Sequence, residues 1–75
     1  MDDAAVESLK PGDRIISQTG NIRTVLRTIL SSRGRVNAVY LTKLVKVKPG
    51  ILQIEESCIE RWALKNRYKL YDRSQ

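Results

Sequence analysis

The sequence predicts a mainly β domain with one short helix near its end, and three observations support that fold class. β-Branched residues are dense between positions 22 and 47, which favours strands. The turn sequence Lys-Pro-Gly occurs at 10–12 and again at 48–50, and such turns separate strands. The spacing of apolar residues becomes helical after residue 55. A chain of 75 residues has room for a single domain, 1–75.

The predicted elements follow in order along the chain. The strands are expected at 14–19, 22–30, 35–47, 51–54 and 67–71. Residues 1–9 are loose or form one helical turn, because so short a helix is marginal in isolation. The helix expected near 55–64 opens with two glutamates, which suits the positive end of a helix dipole. Residues 10–71 form the β body, and the tail 72–75 is expected to fray.

The predicted helix carries the largest apolar side chain of the sequence. One apolar face at helical spacing is formed by Cys58, Ile59, Trp62 and Ala63. Aromatic residues are otherwise scarce, so we expect Trp62 to be buried in the core. Its expected neighbours are Leu26, Leu41 or Val45.

On strand 22–30, alternation divides the side chains between two faces. The set expected to face the core is Ile22, Thr24, Leu26, Thr28 and Leu30. Arg23 and Arg27 then point together from the opposite face. On strand 35–47, Lys43 and Leu44 each interrupt a consistent face, which predicts a β-bulge near 42–44.

Positive charge is concentrated in the middle of the chain. The net charge is +6, and no acidic residue lies between positions 14 and 54. The cations of that stretch are Arg14, Arg23, Arg27, Arg33, Arg35, Lys43, Lys46 and Lys48. Such a segment attracts polyanions. The alternative is a solvated surface that keeps the protein soluble, although such surfaces usually mix charges of both signs.

The candidate binding residues come from this basic segment. They are Arg23, Arg27, Arg33, Arg35, Tyr40, Lys43, Lys46 and Lys48. Arg33 and Arg35 flank Gly34 on a loop between two long strands, where long side chains can follow a curved nucleic-acid backbone. Tyr40 is expected to point outward near the lysines, where a tyrosine can stack on a base. Half-buried packing of Tyr40 is the alternative.

One short motif resembles a known family. The segment Leu9-Lys10-Pro11-Gly12-Asp13-Arg14-Ile15-Ile16 is similar to the entry into the first strand of small SH3-like barrels, including KOW- and Tudor-type modules. After Gly20 the chain departs from the KOW pattern, because Asn21-Ile22-Arg23-Thr24-Val25 stands where such modules usually have a further glycine. The resemblance implies a small SH3-like five-stranded barrel with a short helix near 55–64 before the last strand.

The composition argues against catalysis. The chain has no histidine and a single cysteine, which removes the commonest general base and excludes an internal disulfide. Cys58, on the apolar helix face, is expected to be an inert small hydrophobe. Glu56 and Glu60 lie one helical turn apart beside Arg61 and Lys65, so we expect surface ion pairs rather than a metal site. We predict no enzyme activity, no metal and no cofactor.

Two classes of function remain open. The favoured one is a small nucleic-acid-binding module, for RNA or DNA, that acts through phosphate contacts. The alternative is a small regulatory or inhibitor protein that docks onto an acidic protein surface. No apolar run is long enough to cross a membrane, and the acidic first residues are unlike a signal peptide. We therefore expect a cytoplasmic protein, monomeric by default, with no membrane partner.

Overall fold

Antiparallel strands dominate the computed structural model, which describes residues 1–71. The elements in chain order are α1 (Asp3–Glu7), β1 (Arg14–Ser17), β2 (Ile22–Leu30), β3 (Val36–Lys48), β4 (Ile51–Glu60), α2 (Arg61–Arg67) and β5 (Tyr68–Leu70). Strands account for 55% of the structure, which confirms the mainly β class with a short helix before the last strand. Helix α1 confirms the helical turn within 1–9. The predicted tail 72–75 lies outside the described residues.

All five strands belong to one sheet with the order β4-β3-β2-β1-β5. Strand β2 has two partners in succession: residues 22–24 pair with β1, and residues 25–30 pair with β3. Strands β4 and β5 are the two edges, and within residues 1–71 they are not paired with each other. The sheet is therefore open.

An extra residue in β2 changes which side chains face the core. Val25 pairs with Leu41 and Arg27 pairs with Tyr40, so Leu26 is the extra residue of a β-bulge. Val25 and Leu41 are buried, whereas Leu26 is exposed. The predicted core face of β2 is wrong before the bulge, where the odd-numbered Val25 is the buried residue. Beyond the bulge the alternation shifts by one residue, and Thr28, on the predicted face, pairs with the buried Val39.

The same bulge places Arg23 and Arg27 on opposite faces of the sheet, whereas regular alternation would place both on one face. Arg23 lies on the side of Val25, is half-buried and donates from Nη1 to the carbonyl oxygen of Thr42 (3.1 Å). Arg27, beyond the bulge, is exposed on the opposite face. The bulge predicted near 42–44 is also wrong, since the β3–β4 register runs without interruption from residue 38 to residue 46. The irregularity in that ladder comes later, between Lys46 and Lys48.

The core lies against one face of the sheet and is covered by both helices. Its members are Val6, Leu9, Ile15, Val25, Val36, Val39, Leu41 and Leu64. Val6 of α1 and Leu64 of α2 retain no accessible surface. Asp2 caps α1 by accepting a hydrogen bond from the backbone N–H of Ala5 (2.9 Å). A helix of five residues depends on such a cap and on tertiary burial, because it is too short to persist alone.

Helix α2 begins at Arg61, and the segment predicted to open it belongs to β4. Residues 55–60 pair with β3 in continuous register. The acidic start and the apolar spacing favour a helix locally, but β3 offers its backbone groups to this segment, and ladder hydrogen bonds override a weak local preference. Cys58 therefore lies on a strand and is exposed rather than buried. Glu56 pairs with Arg27 (3.0 Å) rather than with a neighbour on a helix.

Trp62 lies on the outside of α2, which contradicts its predicted burial against Leu26, Leu41 or Val45. Its side chain is 53% exposed. The guanidinium carbon of Arg67 lies 4.9 Å from the centroid of its ring. Because the helix starts later than predicted, its inward residues are Ala63 and Leu64. Leu64 thus occupies the core position that was predicted for Trp62.

The two side chains should differ sharply in their contribution to stability. We expect Leu64→Ala to lower the free energy of unfolding by about 2–5 kcal/mol, because it leaves a cavity in a small core. Trp62→Ala should cost about 1 kcal/mol or less, since mainly a surface cation–π contact is lost. Urea unfolding followed by far-ultraviolet circular dichroism measures both variants without using the tryptophan as the probe. A loss for Trp62→Ala equal to that for Leu64→Ala would contradict the peripheral position of Trp62, and a larger loss would show that α2 packs through its other face.

Candidate binding arm

The distal half of the β3–β4 hairpin extends beyond the body, and residues 42–56 are termed the arm. The β2–β3 ladder ends with Val25 opposite Leu41. The β3–β4 ladder continues to Lys48 opposite Ile51. Six residue steps from 42 to 48 carry the arm roughly 20 Å past that point. Within the described chain the arm is therefore a two-stranded ribbon with no third strand beside it.

Both ends of the arm are fixed by local interactions. At its base, Thr42 accepts hydrogen bonds from the backbone N–H of Thr24 at Oγ1 and from Arg23 at its carbonyl oxygen (3.1 Å each). At its tip, Pro49 and Gly50 form the turn. Gly50 adopts a φ of +79°, which glycine accepts without strain after a proline. The hydrogen bonds at the base thus fix the direction of the ribbon, and the turn at the tip reverses the direction of the chain.

Alternation of side chains gives the arm two chemically different faces. The first, termed the aliphatic face, carries the cross-strand pairs Thr42/Glu56, Leu44/Ile54 and Lys46/Leu52. The second, termed the lysine face, carries the pairs Lys43/Glu55, Val45/Gln53 and Lys48/Ile51. On the aliphatic face, Leu44, Leu52 and Ile54 retain 65%, 60% and 68% of their accessible surface. Large contiguous apolar patches are uncommon on the surfaces of monomeric proteins, and these three residues are adjacent on one face.

The charge on the arm is mainly positive. All three of its lysines, Lys43, Lys46 and Lys48, are exposed, and among residues 1–71 none of them is in an ion pair. Its two acidic residues lie at the base. Glu56 is neutralised by Arg27, and Glu55 stands opposite Lys43. The distal part of the arm therefore carries unopposed positive charge.

The structure does not bring all the predicted binding residues together. Arg33 and Arg35 are exposed on the loop that precedes β3, and the backbone N–H groups of both donate to Oγ of Ser31 (3.3 Å each). Lys46 and Lys48 lie at the other end of β3. Along a strand of 13 residues the two groups are roughly 40 Å apart. The predicted set is thus two separate cationic groups.

The remaining predicted residues lie between these groups and already have protein partners. The guanidinium carbon of Arg27 lies 4.0 Å from the centroid of the Tyr40 ring, and Tyr40 is half-buried. Arg27 occupies the ring face on which a base would stack, which favours the packing alternative for this tyrosine. Arg23 is tied to the base of the arm, and its Nε is buried without a hydrogen-bond partner. Arg23 and Arg27 therefore support the arm more directly than they offer charge to a ligand.

The aliphatic face was missed in the sequence. The sequence predicts residues 51–54 as a short strand of the β body, a prediction that does not place Leu52 and Ile54 on an exposed face. The pattern that could have revealed them is the aliphatic alternation on both sides of the Lys48-Pro49-Gly50 turn. A long hairpin with apolar residues on both strands, longer than the neighbouring strands that could cover it, predicts an exposed apolar face.

A second charged cluster lies at the far end of the body, around Arg61. Its guanidinium group bonds to Glu7, to Asp3 (3.0 Å) and to the carbonyl oxygen of Val36 (2.6 Å). Hydrogen bonds from Lys65 and Arg61 lower the pKa of Asp3. Hydrogen bonds from Arg61 and the Val36 backbone lower the pKa of Glu7, and nearby Arg35 adds to the effect. Charges of both signs therefore lie near Arg35, in contrast to the distal arm, where no acidic residue lies between positions 42 and 54.

The Arg61 cluster should make stability depend on pH in the acidic range. Because the folded pKa values of Asp3 and Glu7 are depressed below those of the unfolded chain, their contribution is present at neutral pH and is lost as the pH falls through the depressed values. We expect Arg61→Met to flatten the fall in unfolding free energy between about pH 5 and pH 2. Urea unfolding across that range measures it, with Arg33→Met as the control for loss of an exposed arginine. Parallel curves for Arg61→Met and the wild type would contradict the expectation.

Residues 1–71 contain neither a metal-binding cluster nor a membrane-spanning helix. No group of three or more His, Cys, Asp or Glu side chains in this range can hold a metal ion. None of its helices combines the length and apolar character needed to cross a membrane. Comparison with protein-family models, with curated proteins and with solved structures gives no match to this chain.

Proposed function

We propose that the chain is a small, non-catalytic nucleic-acid-binding module whose arm contacts backbone phosphates. The observation that carries this proposal is the group of three exposed lysines on the arm, with no acidic residue between positions 42 and 54. A cationic ribbon of this kind neutralises phosphates and releases their counterions, which supplies affinity without sequence readout. A two-stranded ribbon also has the width to enter a major groove.

Lys43 and Lys48 are the pair best placed for this role. They share the lysine face of the arm, and their side chains are exposed. The strand rise separates them by roughly 15 Å. Two lysines at that distance reach different phosphates of one backbone, so each contributes its own contact. Lys46 points from the aliphatic face and is not needed for this contact.

The non-catalytic part of the proposal rests on composition and on the site. The sequence has no histidine, and Cys58 is exposed on an edge strand without a histidine to activate it. The arm carries lysines, aliphatic residues and two glutamates, one of which is held by Arg27. Such a surface binds a polyanion but offers no base and nucleophile acting together.

We also propose that the sheet is a small SH3-like barrel in a strongly opened form. The support is the strand order β4-β3-β2-β1-β5, the sharing of β2 between two ladders, and the short helix between β4 and β5. The turn at 10–13 has the expected glycine with φ +95°. Modules of this size commonly present a basic surface to nucleic acid, which agrees with the proposed function.

Docking onto an acidic protein surface is the second candidate. The exposed Leu44, Leu52 and Ile54 favour it, because phosphate contacts alone do not require aliphatic side chains. The two candidates differ in their response to salt. Phosphate binding weakens steeply as salt rises, whereas apolar docking does not.

The lysine face should carry most of the salt-dependent affinity. We expect Lys43→Ala/Lys48→Ala to weaken binding to duplex DNA, single-stranded DNA or RNA. For duplex DNA, the slope of log affinity against log salt should fall by about 1.8, or about 0.9 for each lost contact. Fluorescence anisotropy at several salt concentrations measures this. The matched control is Lys10→Ala/Lys69→Ala, which removes two exposed lysines away from the arm and lowers the net charge equally.

The loop arginines provide the competing test. Arg33→Ala/Arg35→Ala should change the slope less than the arm variant, because acidic residues lie near Arg35. If Arg33→Ala/Arg35→Ala lowers the slope of log affinity against log salt and Lys43→Ala/Lys48→Ala does not, the interface lies at the loop end of β3. If the wild type binds no nucleic acid in a salt-dependent way, the proposed function fails and the acidic-protein candidate replaces it.

A further inference from the structure

The aliphatic face of the arm is an apolar surface that the described chain leaves uncovered. Leu44 and Ile54 stand directly opposite each other on β3 and β4, and Leu52 is the next residue along the same face. Each is at least 60% exposed. The core cluster of buried residues extends along β3 only as far as Leu41. These three side chains therefore contribute little to the fold in their present position.

The arm is a two-stranded ribbon, and such a ribbon needs additional packing to be stable. An isolated two-stranded hairpin is at best marginally stable in water, and a third strand or packing of an apolar face is needed to hold it. The arm has neither within residues 1–71. An occupant of the aliphatic face would supply that packing.

The aliphatic face is complementary to itself. Its middle row is Leu44/Ile54, with Thr42/Glu56 on one side and Lys46/Leu52 on the other. A two-fold axis through the middle row, with the two arms antiparallel, lays Leu44 and Ile54 on their own copies. It also places Lys46 of each copy over Thr42 of the other, and Glu56, opposite Thr42 in the same row, is then a diagonal neighbour within reach of the long lysine side chain. Glu56 Oε1 is occupied by Arg27, and a carboxylate can accept from a second cation at its other oxygen.

We propose that a second copy of this chain packs on the aliphatic face, forming a two-fold dimer of antiparallel arms. Isologous contacts of this kind close on themselves and are the commonest form of self-association. The dimer is centred on Leu44 and Ile54 and flanked by two equivalent Lys46–Glu56 pairs. It replaces the monomer expected from the sequence.

Other occupants fit this face less well. An anionic membrane surface would need several lysines around the apolar residues, but of the three lysines of the arm Lys46 alone shares their face, and Lys43 and Lys48 point from the opposite one. A nucleic acid would leave the aliphatic side chains against phosphates and water, with no gain from burying them. A second copy uses the apolar residues, Lys46 and Glu56 together. The dimer also leaves the lysine face free, so it does not depend on nucleic-acid binding.

The dimer is tested by sedimentation equilibrium of the full chain, from about 5 µM to about 500 µM. We expect the wild type to associate, and Ile54→Asp to raise the dissociation constant by about 100-fold or more, because it buries a charge at the centre of the interface. The matched control is Leu30→Asp, at an exposed leucine of β2 away from the arm. The control should associate like the wild type. Circular dichroism verifies that each variant keeps the strand content of the parent.

A charge reversal tests the predicted geometry without altering the apolar residues. Lys46→Glu places two carboxylates near each other and should weaken association by about 10-fold, and adding Glu56→Gln, which removes that repulsion without placing a cation against Arg27, should restore most of it. A wild type that stays monomeric at the highest concentration overturns the proposal. A dimer that resists Ile54→Asp also overturns it, because another surface then makes the contact. If Lys46→Glu has no effect, the antiparallel two-fold arrangement is wrong.

Discussion

Strand β2 changes its partner between Thr24 and Val25, and much of the structure follows from that exchange. Its first residues pair with β1 and the rest pair with β3. Because the second ladder starts opposite Leu41, β3 continues beyond that residue without a neighbour on that side and becomes the arm. The bulge at Leu26 falls at the same place, directing Val25 into the core and Arg27 outward. The change of partner within β2 thus ends the β2–β3 ladder at Leu41 and leaves the arm without a third strand.

The other end of the body depends on Arg61 at the junction of β4 and α2. Its bonds to Asp3 and Glu7 hold α1, and its bond to the Val36 carbonyl oxygen holds the start of β3. α1 has only five residues, so these contacts and the burial of Val6 keep it in place. Arg61 is less exposed than its acidic partners, and water screens each pair less than a fully exposed one. The helices close the core at this end, whereas the arm has no equivalent cover.

Local signals in the sequence predicted the strands and turns well, because β-branched density and Lys-Pro-Gly turns act over short distances. The bounds of β2 agree with the prediction, and Gly12 and Gly50 take the positive φ expected of them. The choice of partner could not be predicted, since residues 55–60 fit a helix locally and became a strand only because β3 was available. The concentration of cations between positions 14 and 54 is visible in the sequence itself. Their division into a loop pair and an arm group depends on the straight length of β3, which composition does not reveal.

An exposed ribbon with aliphatic residues is a risk for uncontrolled strand addition, and the arm has features that limit it. The irregularity between Lys46 and Lys48 interrupts the regular edge near the tip, and Pro49 removes a backbone donor. Lysines along β3 oppose the approach of another β3 edge by charge repulsion. These features disfavour edge-to-edge growth but leave the aliphatic face accessible. Pairing through that face is closed by two-fold symmetry, so it buries Leu44 and Ile54 without offering a new surface for further copies.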